Sequence, residues 1–352
     1  MTMEKRSLIK RGIPLLLIGL SALVFYLYFF VGMADIIIIL QRADPFYYSQ
    51  AVVAVFLGVV FYSLTWQRLL NLLSIRTAFQ KTFLFTWIGT FVDLLVPAES
   101  VSGEISRAYL MSKSSGGNAG KVLASVITHR ILSMTITLSG LILGSTFFIF
   151  RYDASGTVLN FITIVAMGTF ASLAFIFYLC LRKEATEKIL DWTIRLATFV
   201  SRGRWRLTGL RFKAQRILGA FHQGIEILGR RPRNLAWPVI FSIAAWFFDL
   251  LITFLVFLSL RPADLGFKVS FSAILIVYSI STAIQTVPLG IPGEIGLTEI
   301  VMITLYTVLG VPPAISAAAT VLIRILTLWF KLLMGYVAVQ WVGIKVLMGG
   351  AG

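Results

Sequence analysis

The sequence predicts an all-α polytopic membrane protein, on three observations. Of 352 residues, 58% are hydrophobic and only 13% are charged, where soluble domains carry roughly a quarter charged residues. Mean hydropathy is +0.89, and apolar runs close to the ~20 residues needed to cross a bilayer recur along the chain. Third, the 31 Lys and Arg, against 15 Asp and Glu, concentrate between those runs, as in loops facing anionic headgroups on the cytoplasmic side. The net charge of +16 is therefore read as lipid-facing, and no nucleic-acid partner is expected. Two His and one Cys, Cys180, rule out an intrachain disulfide and leave little material for a cage, so no metal and no cofactor is expected.

Taken in order, spans are expected at residues 13–33, 50–66, 122–150, 158–181, 235–260 and 313–342. The first follows MTMEKRSLIKRG and resembles a signal peptide, but its apolar core is too long and no A-x-A-like site follows, so a retained helix is expected. Two further segments, 82–96 and 270–287, run into VPAESVSGEI (Val96 to Ile105) and VPLGIPGEI (Val287 to Ile295). Pro and Gly there would leave backbone groups unpaired, which membranes tolerate only where protein or a wet cavity surrounds the break.

Charge decides how these segments lie. Arg107, Lys113 and Lys121 follow the first break, and residues 182–234 hold thirteen more Lys and Arg. A full crossing at 82–96 would put the 182–234 stretch outside, against the positive-inside rule. The expectation is thus about six full spans plus two re-entrant helical hairpins, at 82–112 from the cytoplasm and 270–310 from the opposite face; if both hairpins crossed, there would be eight spans. One integral membrane domain results, with halves 1–181 and 235–352 joined by a basic cytoplasmic connection at 182–234, and both termini cytoplasmic in the cell membrane. Within the connection, Ile189, Thr193, Leu196 and Val200, then Ile217, Phe221, Ile225 and Leu228, recur near helical spacing. They read either as interfacial helices on anionic headgroups or as an ordinary solvated loop.

The two breaks also repeat one another. Both carry V-P and then G-E-I, and downstream ASVITHRILSM (Ala124 to Met134) resembles AATVLIRILTL (Ala318 to Leu328). An odd number of crossings between the copies makes them inverted, the recurrent plan of transporters that open alternately to each side. Arg130 and Arg324 then fall within spans, with Glu104, Arg107, Glu294, Glu299 and Gln285 in or beside the breaks. A charge at a helix centre costs about 2.5 to 3.5 kcal/mol on insertion scales, so such residues face protein, water or a partner. The arginines are candidate phosphate contacts, through a planar fork of donors, and Glu104 and Glu299 are candidate organisers of them; the free N–H ends of broken helices would add to an anion's attraction. The alternative is a static Glu–Arg pair that locks hairpin to helix. Pro97, Gly103, Pro288, Pro292 and Gly293 would shape the hairpins. Asp93, His129 and Asp249 are candidates for proton or ion coupling, and Lys331, two turns after Arg324, shares its face or snorkels to the interface. No nucleotide-binding loop, nucleophile elbow or H-E-x-x-H is present, which removes the visible machinery of a pump or hydrolase.

The stretch from Pro97 through Gly103-Glu104 to Arg107, the R-I-L helix after it, the late IPGEIGLTE and the second R-I-L helix resemble the lysylphosphatidylglycerol synthase transmembrane region, also called the flippase-like membrane protein family, over residues 10–345. The resemblance implies a lipid flippase-like transporter of an anionic or aminoacylated phospholipid, or of a polyprenyl-phosphate-linked lipid. Its partners would be membrane lipids, with a second copy or a lipid-modifying enzyme beside them. It does not imply lysyltransferase activity, because the soluble transferase domain is absent from this sequence; a membrane enzyme acting on such lipids, or a scaffold of a glycosylation complex, are the alternatives. The commonest late motif of the family has Gly-Gly where Gly293 and Glu294 stand.

Overall fold

A computed structural model describes residues 33–96, 101–115, 118–151, 156–200, 208–230, 232–260, 267, 269–285 and 290–349, with Ser21, Phe25 and Tyr28. Among these residues every regular element is a helix. A short α1 (Met33–Gln41) leads into α2 (Pro45–Leu72), then α3 (Phe79–Leu95), α4 (Ser102–Ser114), α5 (Ala119–Arg151) and α6 (Gly156–Leu181). Two amphipathic helices, α7 (Lys183–Val200) and α8 (Thr208–Arg230), connect to α9 (Ala236–Ser259), α10 (Phe271–Gln285), α11 (Leu297–Val308), α12 (Pro313–Arg324) and α13 (Lys331–Gly349). A π-helical turn, Ile325–Phe330, fuses the last two into one rod.

Among the described residues, five stretches are long and apolar enough to cross a bilayer: Pro45–Leu72, Ala119–Phe150, Leu159–Leu181, Pro232–Ser259 and Pro313–Gly343. They coincide with five of the six expected spans; the expected span at 13–33 falls almost wholly outside the described residues. The breaks end helices where Pro and Gly dictate. α3, α4, α10 and α11 have 17, 13, 15 and 12 residues, at or below the roughly 17 that a span needs. Capping fixes other starts: the Asp44 carboxylate accepts from the Phe46 N–H at 2.9 Å, and Pro45 opens α2, a position where its missing N–H is harmless.

The core is built on α2 against α9. Phe61 stacks on Phe248 at 5.5 Å, and Ser242 donates to Thr65 at 3.4 Å. α10 packs chiefly against α5, where Gly144 lies against Leu275 and Ile276, and its Ala273, Ile274, Leu275, Ile276, Val277 and Ile280 are all buried; a helix apolar all round belongs inside protein. By contrast, the most apolar 18-residue stretch of α6 is only 6% buried, against 39 to 44% in the other four spans. Its exposed Ile164, Met167 and Phe170 make it the outermost helix, with a face suited to lipid.

Small residues set the closest approaches, as expected where lipid gives helices no hydrophobic reason to associate. α3 meets α4 at Gly89 and Gly103: a Cβ on Gly103 would overlap the Gly89 carbonyl and the Asp93 carboxylate. α8 does not lie free on headgroups with its apolar stripe. Gly120 of α5 lies against Ile217 and Ala220, Gly224 of α8 lies against Ala124, and Phe221 and Leu228 are buried. The stripe serves α5, so this part of the connection is neither a plain solvated loop nor an apolar face turned to the membrane.

Gly103→Ala should therefore lower stability by about 1 to 3 kcal/mol, the usual range for overpacking. Gly168→Ala, where nothing stands within 4 Å, should be neutral or slightly stabilising through helix propensity. Thermal unfolding of the detergent-solubilised variants, followed by size-exclusion profile, checks the contrast; equal midpoints would refute the close approach.

Candidate functional site

In the second half, three glycines and one glutamate with positive φ fold the chain between α10 and α11. Gly290, Gly293, Glu294 and Gly296 have φ of 81°, 59°, 47° and 92°, and Pro292 to Glu294 form a single 3₁₀ turn. Glu294 is buried in a conformation that favours glycine, and Thr298 Oγ1 donates to its carboxylate at 2.9 Å. That backbone accounts for glycine as the common residue in the resembling motif.

The turn delivers two carbonyl and amide partners to one ion pair. Arg324, 7% exposed, donates through Nε to Glu299 Oε1 at 2.6 Å and through Nη2 to the Gly293 carbonyl. Glu299 Oε2 accepts from the Gly296 N–H at 2.7 Å. One carboxylate thus caps α11 and anchors the arginine at the end of α12.

The first half solves the same problem with different residues. Arg130 Nη1 of α5 lies 3.2 Å from Glu104 Oε1, in the first turn of α4. Here the cap comes from α3: Asp93 Oδ1 accepts from the Gly103 N–H at 2.6 Å and from Ser102 Oγ at 2.9 Å. Each broken-helix N-terminus thus has one N–H already met by a carboxylate, that of Gly103 at α4 and that of Gly296 at α11. Arg107, buried at 3%, sits 5.3 Å and 5.1 Å from the ring centroids of Tyr62 and Trp66, a cation–π arrangement. His129 packs its ring on Tyr62 at 4.0 Å.

Two cavities, ≈ 230 and ≈ 200 Å³, open beside these pairs. Glu104, His129 and Arg130 line the first; Arg324, Thr327 and Lys331 line the second. Asp249, Tyr278, Thr282 and Gln285 line both, so α9 and α10 form a shared polar wall. Tyr278 Oη donates to Asp249 Oδ2 at 3.3 Å, and Lys331 Nζ is 3.9 Å from Asp249 Oδ1.

The structure thus brings together Arg130, Glu104, His129, Asp249, Gln285 and Arg324, with Glu299 and Glu294 behind Arg324. Arg107 and Asp93 lie outside the lining, and their contacts are with the aromatics and the helix cap. Gly103, Pro292 and Gly293 shape the turns; Pro97 and Pro288 lie outside the described residues. Sequence reasoning missed Tyr62, Tyr278 and Thr282, and left Lys331 between two roles. The available signal was the run YSISTAIQ at 278–285, a set of hydroxyls in an otherwise apolar helix.

Among known proteins, the profile of the lysylphosphatidylglycerol synthase TM region matches residues 15–335. UPF0104 membrane proteins are similar over nearly the whole chain: 26% identity with one from Methanothermobacter thermautotrophicus, covering 96% of this chain and 97% of that protein. One from Pyrococcus horikoshii is 27% identical over 92% and 95%, and one from Methanocaldococcus jannaschii 25% identical over 88% of each. With nine-tenths of its length accounted for by one profile, the chain belongs to the lysylphosphatidylglycerol synthase TM region family of integral membrane proteins.

Proposed function

We propose that the protein moves the headgroup of an anionic or aminoacylated phospholipid, or of a polyprenyl-phosphate-linked lipid, between leaflets through the two joined cavities. The observation that carries this reading is the shared wall: the Arg130–Glu104 pair borders one cavity, Arg324 backed by Glu299 borders the other, and Asp249, Tyr278, Thr282 and Gln285 belong to both. A polar path bounded by intramembrane charge suits a group that hydrocarbon rejects. A guanidinium has five N–H donors; Glu299 and Gly293 engage two N–H-bearing nitrogens of Arg324, and exchange of partners lets the same fork take a phosphate. The family to which the chain belongs is named for a phospholipid synthase, which supports a lipid as cargo.

Each half presents the same order: two short helices around a break, then a long helix bearing the arginine. In this reading the short pairs are re-entrant, inverted with respect to each other, and rock to expose the shared wall to one leaflet at a time. The termini lie in the cytoplasm of a cell whose plasma membrane holds the protein.

Purified protein in liposomes should accelerate the movement of fluorescent phosphatidylglycerol between leaflets, and Arg130→Gln or Arg324→Gln should slow it at least about tenfold, the equivalent of losing ~1.4 kcal/mol in the transition state. Arg324→Gln alone leaves Glu299 buried without its cation, at a stability cost of about 3 to 5 kcal/mol. The double variant Glu299→Gln/Arg324→Met, which removes both charges and keeps an oxygen for the Gly296 N–H, should recover folding but not transport. Transport by the double variant would assign the pair to architecture alone, and a chemically altered lipid in the mass spectrum would replace transport by catalysis.

Inversion has its own check. With Cys180 replaced, single cysteines at Ser114 and Val308, near the distal ends of the two short-helix pairs, should react with impermeant maleimide from opposite faces of sealed vesicles. Reaction from one face overturns the inverted arrangement.

A further inference from the structure

Among the described residues, the charged side chains gathered by the breaks and cavities are Arg107, Arg130, Arg324 and Lys331 against Asp93, Glu104, Asp249, Glu294 and Glu299. That is four formal cations facing five formal anions. Three of the cations hold a carboxylate, at 3.2, 2.6 and 3.9 Å, and the fourth is enclosed by Tyr62 and Trp66. This set of side chains has no surplus positive charge to offer an incoming anion. In a medium of low dielectric an added phosphate must therefore bring a counter-charge or find a carboxylate that gives one up.

Asp249 is the carboxylate placed to do so. Its pair with Lys331 is the longest of the three, and its side chain is 34% exposed where those of Glu104 and Glu299 are 16% and 8%. It lies on the wall common to both cavities, so a headgroup passing between Arg130 and Arg324 must pass it. The groups around it are Lys331 from α13 and Tyr278 from α10, with Glu104 of α4, His129 and Arg130 of α5, Tyr62 of α2, Tyr306 of α11 and Arg324 of α12 across the two cavities. On α2, Gly58 faces it, its Cβ position 3.5 Å from Asp249 Oδ1.

Building on the translocation reading, we propose that headgroup occupancy is coupled to uptake of one proton at Asp249. The proton comes from cavity water and rests on the carboxylate. Lys331 stays an ammonium and turns from a neutralised partner to the phosphate. One negative charge enters with the diester and one positive charge with the proton, so the interior keeps its net charge through the crossing. The protein is thereby a proton-linked lipid carrier, in which the proton gradient sets the favoured leaflet.

The test uses the full chain in phosphatidylcholine nanodiscs, titrated calorimetrically with dihexanoyl phosphatidylglycerol, in buffers of differing ionisation enthalpy and with empty nanodiscs as reference. Wild type should take up close to one proton per headgroup, its affinity falling about tenfold per pH unit above the range where Asp249 is protonated in the free protein. Asp249→Asn should bind with no uptake and no pH dependence. Lys331→Gln should weaken binding at least about tenfold at every pH. Asp249→Asn/Lys331→Met, which removes both charges, guards against misfolding and should also show no uptake. Binding by wild type without proton uptake, uptake that survives in Asp249→Asn, uptake lost instead in His129→Gln, or a requirement for sodium in place of the proton each overturns the proposal while leaving translocation standing. No binding by wild type at any pH overturns both.

Discussion

Everything in this molecule depends on placing ionised groups where water is scarce. A buried charge is tolerated only when another charge and the remaining hydrogen-bond partners are supplied together, and the fold supplies them in fixed sets. Glu299 shows how tightly: the same carboxylate accepts from the Gly296 amide and from Arg324 Nε. It closes the N-terminus of α11 and fixes the end of α12 at once. Losing Glu299 undoes both, so the helix start and the arginine's position are one structural decision.

The two halves reach this end by unlike routes. In the first, the helix cap and the ion pair are separate: Asp93 on α3 caps α4, while Glu104 holds Arg130. In the second, Glu299 does both, and Glu294, which stands where G-E-I aligns it with Glu104, is turned instead toward Thr298. The likeness of the halves is thus a likeness of requirement, a capped broken helix and a neutralised arginine, more than of aligned residues. It also leaves the two arginines unequal. The side chains of Arg324 and Glu299 are each 8% exposed, those of Arg130 and Glu104 14% and 16%, so the first-half pair is the easier to open.

The long apolar helices were legible because span length and hydropathy act on every residue of a segment, and one discordant side chain does not change the sum. The breaks were legible because Pro and Gly constrain backbone directly. Which carboxylate meets which arginine was partly legible: Glu104 and Glu299 stood as organisers, but nothing in spacing alone says that Asp93 is a cap, since its partner amide at Gly103 is ten residues away across a turn. The role of Arg107 was hidden for the same reason. Its aromatic neighbours come from α2, some forty residues earlier in the chain, and pairing between distant helices leaves no local trace. Tyr278 was overlooked because an isolated hydroxyl among apolar residues is the commonest form of a helix-packing contact.

Lys331 shows how one local irregularity redirects a charge. Seven residues after Arg324 in an unbroken α-helix, at 100° per residue, it would sit within about 20° of the arginine's own azimuth, about 10.5 Å further along the axis. The intervening turn is π-helical over Ile325–Phe330. Hydrogen bonding to i+5 admits an extra residue and shifts every later side chain by roughly 100° around the helix axis. Arg324 therefore reaches Glu299 on α11 while Lys331 reaches Asp249 on α9, and two cations from one rod neutralise carboxylates on two different helices. Because α9 also carries the wall shared by both cavities, the widened turn is what ties the second-half arginine to the path that leads to the first.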